Sequence, residues 1–298
     1  MQKKIILTWF AMCLGLVFSV HVSGIKTNYR VFGHGQPILI INGGPGMNSD
    51  GFATLAKTIA DLGYQTIIYD QRGTGGSKLT AVNSKTITMN LMAADIEDLR
   101  KELNIKQWTV LGHSFGGILA CHYYAKYPSS VRKLIFSSSG GVNLNFINGL
   151  SDRILSNLSA LEKDSFLFYQ QKMDSGDTTY SVRRKRAEYL ACAYVFNRKY
   201  APLIAERLLQ VNYDVNQWVF QDLRKIKYNY LHRFKNAPVP VLILQGNKDI
   251  LTMETAREIQ ASFRKAKLVE LNNCAHYGWL DAPDIYIKAI RDFLSQAI

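Results

Sequence analysis

Short apolar runs, each followed by a turn signal, recur along the chain. Unbroken apolar runs of this length are typical of strands that a sheet buries on both faces. They predict strands at 36–41, 64–69, 108–111, 133–136 and 241–245. A more polar stretch at 27–32 is the first plausible strand of the folded domain.

Helical patterns lie between these predicted strands. The segment from Met92 to Leu103 carries acidic residues early and basic residues late, which the helix macrodipole favours. A second helical run at 117–127 is stopped by Pro128. Strands that alternate with helices predict an α/β fold with a mostly parallel, doubly wound sheet.

The chain between residues 141 and 236 breaks this alternation. It is rich in helical pattern and in aromatic residues, and it offers no buried-strand run. We interpret 141–236 as a helical cap inserted into a core domain that comprises 25–140 and 237–298. An insertion at the carboxyl ends of the strands would cover the place where such sheets bind ligands.

The first 24 residues predict a secretory signal peptide. Lys3 and Lys4 precede an apolar run at 5–20, and the small residues Ser23 and Gly24 end the segment. We therefore expect a periplasmic or secreted protein whose mature chain starts near Ile25. The alternative is an uncleaved leader that anchors the protein in a membrane, because the apolar run is at the long end for a signal peptide, although shorter than a typical spanning helix. No second spanning segment follows in the sequence.

Composition narrows the possible functions. The 298 residues are 47% hydrophobic and 20% charged, which excludes extensive disorder. The net charge is +13, with a dense basic stretch at Arg183–Arg186. No helix-turn-helix, RRM-like or zinc pattern accompanies this charge, so we interpret the basic stretch as a solvated face and predict no nucleic-acid partner.

The four cysteines, at 13, 121, 192 and 274, show neither CxxC spacing nor a cluster with histidines. This distribution argues against a metal site and against a disulfide-rich scaffold. At most one disulfide bridge is plausible.

A candidate nucleophile lies in the pattern G-x-S-x-G at residues 112–116 (G-H-S-F-G). The pattern follows a predicted strand and precedes a predicted helix, which is the context of a nucleophile elbow. Glycines two residues to either side are needed because a Cβ there would collide at so sharp a turn. We therefore expect Ser114 to be a nucleophile above a helix N-terminus.

A serine hydroxyl needs a base, and the base needs a partner that fixes its tautomer. Asp249 follows the strand predicted at 241–245, and His276 comes 27 residues later. We expect Asp249 to orient His276, and His276 to be the base.

Three other histidines are weaker candidates for the base. His113 adjoins the serine but is expected to point away at the sharp turn, while His122 lies mid-helix and His232 lies in the cap. We interpret all three as structural.

The loop at 42–46 (N-G-G-P-G) follows the strand predicted at 36–41 and is suited to bind an oxyanion. Glycines allow the backbone amides to turn toward a substrate, and proline stiffens the loop. We expect the N–H groups of Gly44 and Phe115 to be the oxyanion donors.

Three motifs together resemble the α/β-hydrolase superfamily and, within it, the proline iminopeptidase group: G-G-P-G at 43–46, D-Q-R-G-T-G-G-S at 70–77 and the elbow at 112–116. The order of serine, acid and histidine along the chain is also that of α/β-hydrolases. The resemblance implies an acyl-enzyme mechanism with Ser114, His276 and Asp249. It implies a small-molecule or short peptide substrate and neither metal nor cofactor.

Several positions depart from the proline iminopeptidase pattern. Asn42 stands where the group has His, the elbow reads G-H-S-F-G rather than G-G-S-W-G, and the Glu-containing cap signature is missing around 193–197. Glu188 and Glu206 are the remaining candidates to bind a substrate amine. We therefore predict a serine hydrolase that resembles proline iminopeptidases and releases an N-terminal proline or a similar small apolar residue. The alternative is a carboxylesterase that cleaves small acyl esters. A non-catalytic binding protein is disfavoured, because binding alone has no use for a nucleophile with an aligned base.

Overall fold

The computed structural model describes residues 16–22 and 24–296, and these residues form an eight-stranded sheet with helices on both faces. The strand order is β1-β2-β4-β3-β5-β6-β7-β8. Strands β1 and β2 are antiparallel to their neighbours, and the other strands pair in parallel. The predicted mostly parallel, doubly wound sheet is confirmed. The strands are β1 (Leu16–Val22), β2 (Ile25–Phe32), β3 (Gln36–Ile41), β4 (Tyr64–Tyr69), β5 (Trp108–His113), β6 (Val131–Ser137), β7 (Pro240–Gly246) and β8 (Lys265–Leu271).

The helices divide between the two faces of the sheet. Successive residues of β3 bury alternately into two hydrophobic clusters, because neighbouring side chains of a strand point to opposite faces. One cluster includes α2, α3 and α9, and the other includes α1 and α11. The helices are α1 (Ala53–Ala60), α2 (Met89–Glu102), α3 (Phe115–Lys126), α4 (Leu150–Ser156), α5 (Ala160–Asp174), α6 (Tyr180–Cys192), α7 (Ala201–Leu208), α8 (Tyr213–Lys225), α9 (Met253–Ser262), α10 (Gly278–Asp281) and α11 (Pro283–Ser295).

Helix α2 differs from the sequence prediction in its start and in the role of its acids. It begins three residues earlier than Met92, because the Thr88 side chain accepts a hydrogen bond from the N–H of Leu91 and so caps the helix. Asp95 and Glu97 are buried and bind side chains rather than merely facing the helix dipole. The hydrogen bonds that these two buried carboxylates make therefore matter more for their placement than the interaction with the helix macrodipole, which contributes about 0.3–1 kcal/mol.

The segment predicted to be a cap contains helices α4 to α8, which lie between β6 and β7. It docks on the loop that follows β3. The N–H of Asn212 donates to the carbonyl of Gly46 at 2.8 Å, and Nδ2 of Asn216 donates to the carbonyl of Pro45 at 3.0 Å. A backbone N–H and a side-chain amide of this segment therefore fix it to the loop carbonyls.

Strand β1 lies in the second half of the predicted leader. It pairs along its full length with β2, and Phe18 stacks on Tyr29 with ring centroids 5.4 Å apart. Residues 1–15 and Ser23 lie outside the described residues, so leader cleavage stays a prediction. None of the helices in the described part of the chain is long and apolar enough to cross a membrane.

The cysteines within 16–22 and 24–296 are free thiols: Cys121, Cys192 and Cys274. Burial raises the pKa of Cys121 to about 12, which keeps its thiol protonated. Cys13 lies outside the described residues.

A buried ion pair joins the loop after β4 to α2. Arg72 donates from Nε and Nη2 to the two carboxylate oxygens of Asp95, at 2.7 and 2.5 Å, and from Nη1 to the carbonyl of Thr86 at 2.8 Å. Both charged side chains are almost fully buried. A bidentate pair fixes the orientation of both groups as well as their separation.

Removal of one member of this pair should be costly. We expect Arg72→Met to lower the free energy of unfolding by about 3–5 kcal/mol, because the Asp95 carboxylate is left buried without its partner. Lys288→Met is the control, since it breaks an exposed pair with Asp292 and should cost less than about 1 kcal/mol. Urea unfolding at one pH measures both, and equal losses would contradict the assignment.

Candidate active site

Ser114 lies at the sharp turn between β5 and α3. Its backbone has φ 54° and ψ −120°, which L residues rarely adopt. Three hydrogen bonds hold this conformation: its N–H donates to Ser137 O at 3.0 Å, and its carbonyl accepts from the N–H groups of Gly117 and Gly140 at 3.0 and 3.2 Å. Backbone strain of this kind is maintained only where the surroundings impose it, and it clusters at functional sites.

The glycines of the elbow are required by close backbone approach. A Cβ on Gly112 would lie 2.3 Å from Gly116 O, and a Cβ on Gly116 would lie 2.1 Å from Ile41 O. The expectation that side chains at these positions would collide is confirmed. The G-x-S-x-G spacing thus follows from packing of the elbow against β3 and α3.

His276 and Asp249 form a buried pair at the carboxyl ends of β7 and β8. The Nδ1 of His276 lies 2.8 Å from Oδ1 of Asp249. The Asp249 carboxylate also accepts hydrogen bonds from Nε2 of Gln245, at 2.9 Å, and from the N–H of Leu251, at 3.0 Å. A neutral imidazole that donates from Nδ1 keeps its lone pair on Nε2, as a general base requires.

Ser114 and His276 line the same cavity, whose volume is about 270 Å³. Gly44 and Phe115, the expected oxyanion donors, line it too. The rest of the wall is mostly apolar, as small-molecule sites usually are. Its apolar side chains come from both core and cap: Met47, Ile118, Phe146, Leu150, Leu190, Leu208, Val211, Phe220, Ile250 and Leu251.

The loop after β3 approaches the elbow closely. A Cβ on Gly43 would lie 2.6 Å from the Cβ of Ser114, and Gly44 has φ +67°. The N–H of Gly44 makes no hydrogen bond to any described residue. Phe115 is the first residue of α3, and the first N–H groups of a helix have no acceptor within the helix. Both amides are thus available to an oxygen in the cavity.

The D-Q-R-G motif supports this loop from behind. Gln71 donates from Nε2 to the carbonyl of Asn42 at 2.9 Å, and Asn42 donates from Nδ2 to the carbonyls of Gly43 and Met47, each at 3.1 Å. Asp70 accepts from both the N–H and the hydroxyl of Ser49. The motif therefore supports the loop at 42–46, and its members do not line the cavity.

The sequence predicts that His113 points away from the site, and the structure contradicts this prediction. Its ring centroid lies 4.7 Å from that of His276, and it also packs on Tyr277 and Trp279. The sharp turn at Ser114 therefore does not separate the rings of His113 and His276 as expected. Burial, together with the neighbouring His276 and the positive charge of Arg207, holds the pKa of His113 well below its usual range, so this ring is neutral.

The candidate amine-binding acids lie away from the cavity. Glu188 pairs with Arg184 and Lys185, at 3.0 and 2.9 Å, and Glu206 lies 3.5 Å from Arg184. None of the described residues that line the cavity is Asp or Glu. Arg186, which the sequence placed on a solvated basic face, lines the cavity instead.

Sequence reasoning also missed two residues that position the pair. Gln245 holds the Asp249 carboxylate, and the carbonyl of Tyr194 accepts the N–H of His276 at 3.1 Å. A polar residue at the end of the otherwise apolar β7 was a signal for Gln245. Nothing in the sequence around Tyr194 indicated its contact, because it lies in the cap.

Comparison with known proteins agrees with this architecture. The family model for the alpha/beta hydrolase fold matches residues 36–283. A proline iminopeptidase of Lactobacillus helveticus is 24% identical over 291 residues, which cover 92% of this chain and 95% of that protein.

Solved structures share the fold. An alpha/beta fold family hydrolase from Bacillus anthracis str. Sterne has a TM-score of 0.77 at 18% identity, with 94% of this chain and 99% of that one covered. An esterase from Exiguobacterium antarcticum has a TM-score of 0.71 at 18% identity, with 95% and 100% covered.

The chain therefore belongs to the alpha/beta hydrolase fold family. It is a hydrolase, and it resembles the proline iminopeptidases.

A methyl group on Gly43 should disturb the elbow. We expect Gly43→Ala to slow labelling of the protein by a fluorophosphonate about 100-fold, because the new Cβ forces the loop and Ser114 apart and a shift of about 1 Å can cost that much. Gly176→Ala is the control, since its Cβ would meet no atom within 4 Å although φ is +95°. The control should lose stability only. Unchanged labelling of Gly43→Ala, measured well below its melting temperature, would refute the close approach.

Proposed function

We propose that the protein is a serine hydrolase that cleaves small acyl esters through an acyl-enzyme intermediate. The observation that carries the proposal is the shared cavity of Ser114 and His276, with His276 bonded to the buried Asp249 at 2.8 Å. In this proposal Ser114 is the nucleophile, His276 the base and then the acid, and Asp249 the orienting carboxylate.

The reaction would proceed in two halves. Nε2 of His276 takes the proton of the Ser114 hydroxyl as Oγ bonds to the substrate carbonyl carbon, and the same proton then passes to the leaving oxygen. The C–O bond to the leaving group breaks and leaves an acyl-serine. Water, deprotonated by His276, attacks this ester and releases the acid and the free serine.

Two features of the site would stabilise the charged intermediate. The oxyanion would receive hydrogen bonds from the N–H groups of Gly44 and Phe115, the second at the positive end of the α3 dipole. The imidazolium would face the Asp249 carboxylate on one side. On another side it would meet the neutral ring of His113, whose low pKa prevents a second positive charge from forming there.

The wall of the cavity favours an ester over an N-terminal proline. An aminopeptidase must pair the substrate ammonium with a carboxylate, since an unpaired charge in a partly desolvated pocket costs several kcal/mol. Glu188 and Glu206 instead pair with exposed basic residues outside the cavity.

Proline iminopeptidase activity is the second candidate, because curated relatives with that name match nearly the full chain. The motifs that carry this resemblance are G-G-P-G and D-Q-R-G, and both belong to the oxyanion loop and its support. They therefore bear on the reaction type more than on recognition of an amine.

The triad assignment predicts large losses of turnover. Ser114→Ala and His276→Ala should each lower kcat by about 10⁶-fold, because the residues act as a unit. Asp249→Asn should lower kcat by about 10⁴-fold through the wrong histidine tautomer. Steady-state hydrolysis of para-nitrophenyl butyrate measures these effects. Ser129→Ala, an exposed control beyond α3, should leave kcat unchanged, whereas full activity in Ser114→Ala would exclude the mechanism.

The substrate assignment is tested separately. Wild-type protein should hydrolyse short-chain para-nitrophenyl esters and should leave proline para-nitroanilide at the background rate, since no carboxylate of the cavity wall can bind the proline amine. Glu188→Gln and Glu206→Gln should change neither rate. Efficient cleavage of the anilide that is lost in either variant would instead support an aminopeptidase.

A further inference from the structure

Among the described residues that line the cavity, Arg186 is the one with a permanent charge. It lies on α6, the helix that also contributes Leu190 to the wall, and its side chain is half-buried. A guanidinium that borders an apolar cavity has several N–H donors and no acceptor of its own. It therefore favours an anionic oxygen in the space beside it.

The contacts of Arg186 leave its charge uncompensated. Its Nε donates to Oε1 of Gln170, and its guanidinium lies over the Phe166 ring at 5.4 Å. One partner is a neutral amide and the other an aromatic face. Elsewhere on the same basic stretch, Arg184 and Lys185 take the carboxylate of Glu188.

A second cation lies just behind the wall. Arg207 is 3% exposed, and its Nε and Nη1 have no hydrogen-bond partner among the described residues. Its guanidinium lies over the Phe52 ring at 4.9 Å, and its Nη2 lies 3.8 Å from the Met47 sulfur. Because its charge also helps to lower the pKa of His113, its field reaches the cavity wall.

Arg186 borders a cavity whose described lining contains no carboxylate, since Asp249 lies behind His276 and is engaged by it, and Arg207 adds a positive charge from behind the wall. We infer that the natural substrate carries a carboxylate remote from the scissile bond, and that Arg186 binds this carboxylate. The inference rests on the proposed ester hydrolysis and names its substrate class. Arginine suits this role because its planar fork can bind a carboxylate through two parallel hydrogen bonds.

The test compares two carboxylate-bearing esters with their neutral methyl esters. Mono-para-nitrophenyl adipate carries a carboxylate on the acyl side, and its methyl ester is the neutral match. Para-acetoxybenzoate and its methyl ester form the same pair on the leaving-group side. We expect the carboxylate member of one pair to have a kcat/KM at least about tenfold above its neutral match, the range of a charge-assisted hydrogen bond.

Variants assign the preference to Arg186. Arg186→Gln should lower kcat/KM for the favoured carboxylate ester about 10- to 100-fold, mainly by raising KM. It should leave kcat/KM for the matching methyl ester within about twofold of the wild-type value. Arg186→Lys should retain part of the preference, because the charge stays while the planar fork is lost. Arg183→Gln is the matched control: it removes the same charge from an exposed position of α6 and should change neither ester.

The outcomes separate this inference from the proposed function. Equal kcat/KM within both pairs would overturn the carboxylate preference while leaving the serine hydrolase intact. A loss in Arg186→Gln that affects charged and neutral esters alike would reduce Arg186 to a structural partner of Gln170 and would also overturn it. If no ester is turned over, calorimetric binding of hexanoate against hexanamide to wild type and to Arg186→Gln decides the inference without turnover.

Discussion

The left-handed backbone of Ser114 is the constraint on which the rest of the site depends. A non-glycine residue holds this conformation only when its surroundings compensate for the strain. Here β6 accepts the N–H of Ser114, and two glycine amides bind its carbonyl. The absence of side chains at Gly112 and Gly116 lets β3 and α3 pack against the turn. The geometry that exposes the serine hydroxyl is therefore a property of the whole centre of the sheet.

The loop at 42–46, which lines the cavity, is held from two sides of the molecule. From the core, Gln71 fixes Asn42, and Arg72 of the same motif is locked by its buried pair with Asp95. From the cap, Asn212 and Asn216 bind the loop carbonyls. A displacement of α8 would thus move the loop that contains Gly43 and Gly44. The helical segment after β6 and the cavity wall at Gly44 are connected through a backbone N–H of Asn212 and the side-chain amide of Asn216.

Local patterns in the sequence were sufficient to predict the central sheet and to bring Ser114, Asp249 and His276 forward as candidates, because strand, turn and helix signals are short-range. These local patterns could not predict contacts between segments that are far apart in the sequence. The position of His113 depends on one strained residue, and the distinction between Arg186 and its basic neighbours depends on how α6 packs on α5. Helix periodicity does not reveal which of four consecutive basic residues meets a cavity. Strand β1 was missed because its apolar residues also fit a leader.

The overlap of β1 with the predicted leader at 1–24 has a consequence for the edge of the sheet. Its seven residues satisfy the outer row of backbone donors and acceptors on β2. A protease that cut after Gly24 would remove them and turn β2 into an open sheet edge, which readily accepts a strand from another molecule. Because β1 is itself the first strand of the sheet, its removal would move the open edge inward by one strand, from β1 to β2.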